Sequence, residues 1–158
     1  RDDFCNGIAQ LEKYNFTYDL LILPIHLPFA VNFVKRFPKQ NFVIDHLAKP
    51  NFKANDFSEW ERGISELALH KNVYCKVSGM VTEADWKNWK AADFNYCLDV
   101  LVSNFGIDRL MFGSDWPVSL LAASYEESTA IVKNYFSKFS RQDQDEIWGA
   151  NAMKFYNL

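Results

Sequence analysis

The sequence predicts an α/β protein built on a parallel sheet, and three observations predict it. Short apolar runs alternate with helical patterns four times along the 158 residues, with little linker between them. The starts of successive runs fall roughly 24 to 36 residues apart, the length of one βα unit. The ends of the runs carry titratable side chains, and in parallel α/β proteins the C-terminal ends of strands are where ligands bind.

Phe4, Ile8 and Leu11 recur at helical spacing until Asn15 breaks the pattern. Tyr18 to Leu23 is an apolar run interrupted only by Asp19 and bounded by Pro24, the signature of a buried strand. Leu27 to Phe37 reads as a helix with Pro28 in its first turn, and Pro38 stops it. Phe42 to Leu47 is the second strand. Asp56 is placed to cap a helix that runs to about His70 with Trp60, Ile64 and Leu67 on its inner face. Val73 to Val77 is the third strand, closed by Ser78-Gly79.

A polar loop holding Trp86 and Trp89 then leads into a helix that carries Phe94, Cys97, Leu98, Leu101 and Val102 to Asn104 and Gly106. Arg109 to Phe112 is the fourth strand. Helices follow over roughly Tyr125 to Lys138 and Asp143 to Tyr156.

Half the residues are apolar, and 14 Phe, 7 Tyr and 5 Trp argue for a well-buried core. A net charge of −3 with scattered basic residues gives no cationic face for nucleic acid or anionic lipid. No run is long enough to span a membrane, and no signal-peptide pattern opens the chain. Cys5, Cys75 and Cys97 are an odd number without metal-ligand spacing, which fits free thiols in a reducing cytoplasm. The chain starts at Arg1 without an initiator methionine, as the remainder of a longer protein would.

Two architectures fit the alternation, an open doubly wound sheet and part of a closed eight-stranded barrel. No glycine-rich phosphate loop follows any strand, which argues against a nucleotide-binding sheet. A whole barrel needs about 250 residues, so residues 1–158 would form a single segment holding about half of one.

The strand ends supply the candidate site. Two-residue alternation places Ile22, Pro24 and His26 on one face of the first strand. In the second it places Phe42, Ile44 and His46 together on the mouth side, with Asp45 opposite. In the third it places Tyr74, Lys76 and Ser78 against Val73, Cys75 and Val77. The fourth ends at Asp115, after Gly113-Ser114 and before Trp116. Two histidines, a lysine and a carboxylate on one rim have the composition of a hydrolytic site: a general base, a positioned water and an oxyanion stabiliser.

Each residue also has a plainer explanation. Asp115 would cap a turn, and a histidine at a strand end is often a hydrogen-bonded packing residue. Lys76 inside a strand either meets a carboxylate within the barrel or contacts substrate. Trp116 would line a substrate pocket or cap the barrel mouth.

With these segments in place the chain resembles the amidohydrolase superfamily, in particular its branch of fuconolactonases and pyrone-dicarboxylate lactonases. The residues carrying the resemblance begin with Phe4 to Gly7 and Tyr18-Asp19-Leu20-Leu21. Val43-Ile44-Asp45-His46-Leu47-Ala48-Lys49-Pro50 and Val73-Tyr74-Cys75-Lys76-Val77-Ser78-Gly79 follow in order. Arg109 to Val118 and the terminal Asn151-Ala152 with Phe155-Tyr156 complete it.

The resemblance implies a (β/α)₈ barrel of which these strands are the fifth to eighth. It implies that Asp115 activates water or ligates a metal, that His46 polarises the substrate carbonyl, and that His26 lies near the substrate. It implies hydrolysis of a sugar or carboxylated lactone. The superfamily's His-x-His pair occurs nowhere in this chain. The expectation is therefore no metal in these residues, with zinc or another divalent metal left open for a fuller protein. The alternatives are a metal-dependent amidohydrolase or decarboxylase of the same superfamily, and a non-catalytic scaffold. In each case the half-barrel would need a missing N-terminal half or a second copy, as in a homo-oligomer, to cover it.

Overall fold

The computed structural model describes residues 1–158. Helix α1 (Asp2–Leu11) leads into strand β1 (Tyr18–Leu20), helix α2 (Leu27–Lys35) and strand β2 (Phe42–Ile44). Helix α3 (Ser58–Ala68), strand β3 (Val73–Val77), a single-turn helix α4 (Met80–Glu83) and helix α5 (Asn95–Phe105) follow. Strand β4 (Leu110–Phe112) and helices α6 (Tyr125–Phe136), α7 (Arg141–Asp145) and α8 (Asn151–Tyr156) complete the chain, with a π-helical turn at Glu146–Ala150 joining the last two.

All four strands are parallel and lie in the order β1-β2-β3-β4. A doubly wound sheet reverses its order and places helices on both faces. Here the order never reverses, so the right-handed crossovers all fall on one side, as they do around a barrel wall. The sheet is half of such a wall and has two free edges.

The strand pleat divides the molecule. Leu20, Phe42, Ile44, Val73, Cys75, Val77 and Leu110 point to the helices and join Leu27, Trp60, Leu67, Phe94, Phe105 and Phe136 in the main core. Val43 and Met111 point the other way, toward the barrel interior, and meet Phe155 with Tyr74 and Tyr156 in a second, smaller cluster. Helix α8 therefore closes the interior face. Asn151 anchors it, with Nδ2 donating to the carbonyls of Ile107 and Leu110 at 2.8 Å each.

At the same end Arg109, nearly fully buried, donates to the carbonyls of Phe105, His70, Val73 and Asn104. Its guanidinium satisfies chain ends that no strand partner reaches.

The strands are shorter than the apolar runs suggested. β1 stops at Leu20 and β2 at Ile44. Beyond Ile44 the chain turns left-handed at His46, Leu47, Ala48 and Lys49. Two-residue alternation therefore fails after Ile44: Phe42 and Ile44 face the helices, and the turn rather than the pleat directs His46 to the rim. Asp56 does not cap α3. It accepts from the Ser58 amide (3.1 Å) and hydroxyl (2.8 Å), forming a turn one step ahead of the helix, whose first flanking residue is Phe57.

Candidate functional site

His46 owes its position to the left-handed turn. Four successive non-glycine residues at φ 52 to 57° are costly, about 1–2 kcal/mol each for side chains crowding the following carbonyl. Packing imposes the turn: Leu47 and Ala48 are fully buried beneath α3, and the Trp60 indole donates to the Leu47 carbonyl at 2.6 Å. The Lys49 amide closes on the His46 carbonyl at 2.7 Å, and the Lys49 ammonium pairs with Glu83 at 2.8 Å. Strain held this firmly by its surroundings tends to mark functional positions.

Asp115 is the second such residue, at φ 54° just past the tip of β4. Its carboxylate oxygen lies 3.7 Å from His46 Nε2, so the ends of β2 and β4 meet across the end of β3. Ser78 and Gly79, at that middle tip, complete the group. Ser78 Oγ is 2.8 Å from His46 Nδ1. Gly79 adopts φ +65°, and a Cβ there would lie 2.8 Å from the His46 ring. Only glycine fits both the backbone and the ring.

Thr82 Oγ1 stands 3.4 Å from the other Asp115 oxygen, but its one proton has a closer acceptor in the Gly79 carbonyl at 2.8 Å. Asp115 is thus largely shielded, with 11% of its side chain exposed, and has no strong donor of its own. A shielded carboxylate with free lone pairs beside an imidazole can hold a water and take its proton.

The other residues singled out from sequence lie elsewhere. Lys76 is on the interior face of β3, where its ammonium reaches Asp19 at 2.5 Å and Asp45 at 2.8 Å and lies over the Tyr156 ring. Burial alone would lower its pKa, but the hydrogen bonds with Asp19, Asp45 and Tyr156 outweigh that and raise it. His26 bonds its own turn, Nδ1 accepting from the Leu23 amide at 3.1 Å, and faces the apolar groove beside β1. Trp116 follows Asp115 and is exposed.

Ser78, Gly79 and Thr82 were not singled out from sequence. Their signal is the Ser-Gly pair directly after β3, the same place on its strand as Asp115 has on β4. A cleft of about 620 Å³ adjoins Lys49 and Glu83, with Asn51, Lys53, Asp56 and Glu59 on its walls. It does not include His46 or Asp115, which lie partly buried where the sheet ends.

A family model described as Amidohydrolase matches residues 1–158. The chain is 40% identical, over 99% of its length, to L-fucono-1,5-lactonase of Burkholderia multivorans and spans 56% of that protein. It is 35% identical to L-fucono-1,5-lactonase of Burkholderia ambifaria, over 96% of its length and 53% of the relative's. The crystal structure of an amidohydrolase from Burkholderia multivorans with bound zinc superposes on all of it and on 58% of that chain, with a TM-score of 0.95 and 39% identity. A probable 2-pyrone-4,6-dicarboxylic acid hydrolase from Acinetobacter baumannii, 18% identical, shares the fold at a TM-score of 0.84. The chain thus spans little more than half the length of the relatives it matches, and its four-stranded sheet corresponds to half of their barrel.

The zinc in that neighbour poses a test for the residues here. A catalytic zinc takes three protein donors and keeps one position open. His46 and Asp115 offer two, and no three His, Cys, Asp or Glu side chains come together anywhere in the chain. These 158 residues do not make a zinc site by themselves.

Proposed function

The chain belongs to the amidohydrolase family, and from that premise we propose that the intact protein hydrolyses a lactone by a water that Asp115 deprotonates. The observation that carries the reading is the meeting of His46 Nε2 and Asp115 Oδ1 at 3.7 Å, each held in left-handed backbone at a strand tip. Asp115 takes a proton from water as the oxygen adds to the lactone carbonyl, and His46 stabilises the oxyanion that forms. The tetrahedral intermediate collapses with cleavage of the ring C–O bond, and Asp115 returns its proton to the departing alkoxide. The names of the two Burkholderia relatives support a sugar lactone as the substrate over a carboxylated one.

Two further points belong to the reading. The free edge at β1 presents Leu21, Leu23, Ile25 and Phe29 to solvent, apolar surface that suits the remaining half of the barrel, from a further segment or a second copy. A metal-dependent version would need its other donors from outside these residues, so zinc content of the intact protein should be measured alongside activity.

The decisive experiment is lactone hydrolysis by the intact protein and its Asp115→Asn variant. Loss of the base should lower turnover by about 10²–10⁴-fold with folding retained. Undiminished turnover would remove Asp115 from the mechanism.

A further inference from the structure

We propose that Ser78 is a positioning residue that holds His46 in the tautomer with its proton on Nε2, so that the ring offers a donor toward Asp115 and the substrate carbonyl. The proposal deepens the lactonase reading and rests on it for the role of the donor, though not for the tautomer. A neutral imidazole has one donor and one acceptor nitrogen, and a serine hydroxyl can fill either role. For the neutral ring, two arrangements satisfy the 2.8 Å contact between Ser78 Oγ and His46 Nδ1.

In one arrangement Nδ1–H donates to Ser78, and Nε2 is left bare 3.7 Å from the Asp115 carboxylate oxygen. Two acceptors then confront each other in a shielded place where water screens them poorly. In the other arrangement the Ser78 hydroxyl donates to Nδ1, and Nε2, 3.7 Å from the carboxylate oxygen, carries the proton. Attraction replaces repulsion, so the second arrangement wins.

The surroundings fix both partners. Ser78 follows β3 directly and is only 4% exposed. The neighbouring strand end meets it with Gly113, where a Cβ would lie 3.0 Å from Ser78 Cβ and 3.3 Å from its hydroxyl. On the other side the Gly79 backbone lies flat against the imidazole, with room for no side chain. The ring is gripped rather than merely touched. The covered hydroxyl also cannot reach a substrate carbonyl, so the Ser78–His46–Asp115 chain is not a nucleophilic triad. Ser78 acts through His46.

The test combines ¹⁵N-imidazole NMR of the intact protein with lactone kinetics, the His46 signals being assigned by their loss in His46→Gln. Wild type should show protonated Nε2 and unprotonated Nδ1. Ser78→Ala removes one oxygen and should give a mixture of tautomers. Its kcat should fall about ten- to a hundredfold, with KM within about twofold, because the Nε2–H donor matters most as the oxyanion develops. Ser78→Cys, with a weak S–H donor, should fall between the two, and it replaces the alanine variant if that one does not fold.

Protonated Nδ1 in wild type, or an unchanged tautomer in Ser78→Ala, overturns the proposal. So does stoichiometric labelling of Ser78 by a fluorophosphonate, which would make it the nucleophile. A wild-type protein that shows protonated Nε2 but hydrolyses no lactone would instead sink the lactonase reading and leave the tautomer assignment standing.

Discussion

Two groups of charged side chains sit on the same four strands and are built in opposite ways. On the interior face, Lys76 meets Asp19 at 2.5 Å and Asp45 at 2.8 Å, and the Tyr156 hydroxyl donates to Asp19 at 2.8 Å. Each carboxylate there has a close cationic partner, and the strands that carry Asp19 and Lys76 are regular. At the rim, Asp115 has only His46 at 3.7 Å and a competed-for hydroxyl at 3.4 Å, and both His46 and Asp115 stand on left-handed backbone. The difference separates a clasp from a candidate site. A close ion pair has used its charge on its own fold. An under-satisfied carboxylate on a strained backbone has capacity left for a ligand.

The sharpest way to break this contrast is at Gly79. Gly79→Ala puts a Cβ into the His46 ring at left-handed φ, and should cost about 2–3 kcal/mol of stability. It should also lower lactone turnover at least about tenfold by pushing the ring off its position. Denaturant unfolding and kinetics on one preparation read both, and unchanged turnover would mean that the position of the ring is not critical.

Lys76→Met tests the clasp. It leaves Asp45 without its cation and should cost about 1–3 kcal/mol, at the lower end because the group is partly exposed. KM should hardly move. A large rise in KM with stability intact would make Lys76 a substrate contact after all.

The smallest expected effect comes from alkali. Lys76 is held above its ordinary pKa by Asp19, Asp45 and Tyr156 against the opposing pull of burial. The Tyr156 phenol is pushed up to about 12, by burial first and by Asp19 next, with Lys76 pulling it back. Both groups bind their protons more tightly folded than unfolded, so their stabilisation is complete below roughly pH 10 and fades as pH rises through the folded values. Denaturation midpoints should be flat to about pH 10 and then fall, and Tyr156→Phe should reduce the fall. A fall that begins on the acid side of neutrality would place the sensitivity outside this clasp.

Much of this was legible in the sequence. The spacing of Tyr18, Phe42, Val73 and Leu110 determined four parallel strands, because a βα unit has a fixed length and crossovers have one hand. The position of Asp115 after Gly113-Ser114, and of His46 after an apolar run, placed both at strand tips. What the sequence could not carry was direction. Two-residue alternation assigned His46 to the face of Phe42 and Ile44, and those residues point into the helices. His46 reaches the rim because buried Leu47 and the Trp60 indole, brought in from α3, force four residues into a conformation that no local preference favours.

The same holds for Ser78. It is an ordinary strand-end serine until β2 brings an imidazole to within 2.8 Å. Periodicity and strand length are local properties, and the chain alone fixed them. The pairing of His46 with Ser78 and Asp115, and of Lys76 with Asp19 and Asp45, joins residues 31 to 69 positions apart. Only the packed sheet decides such distances.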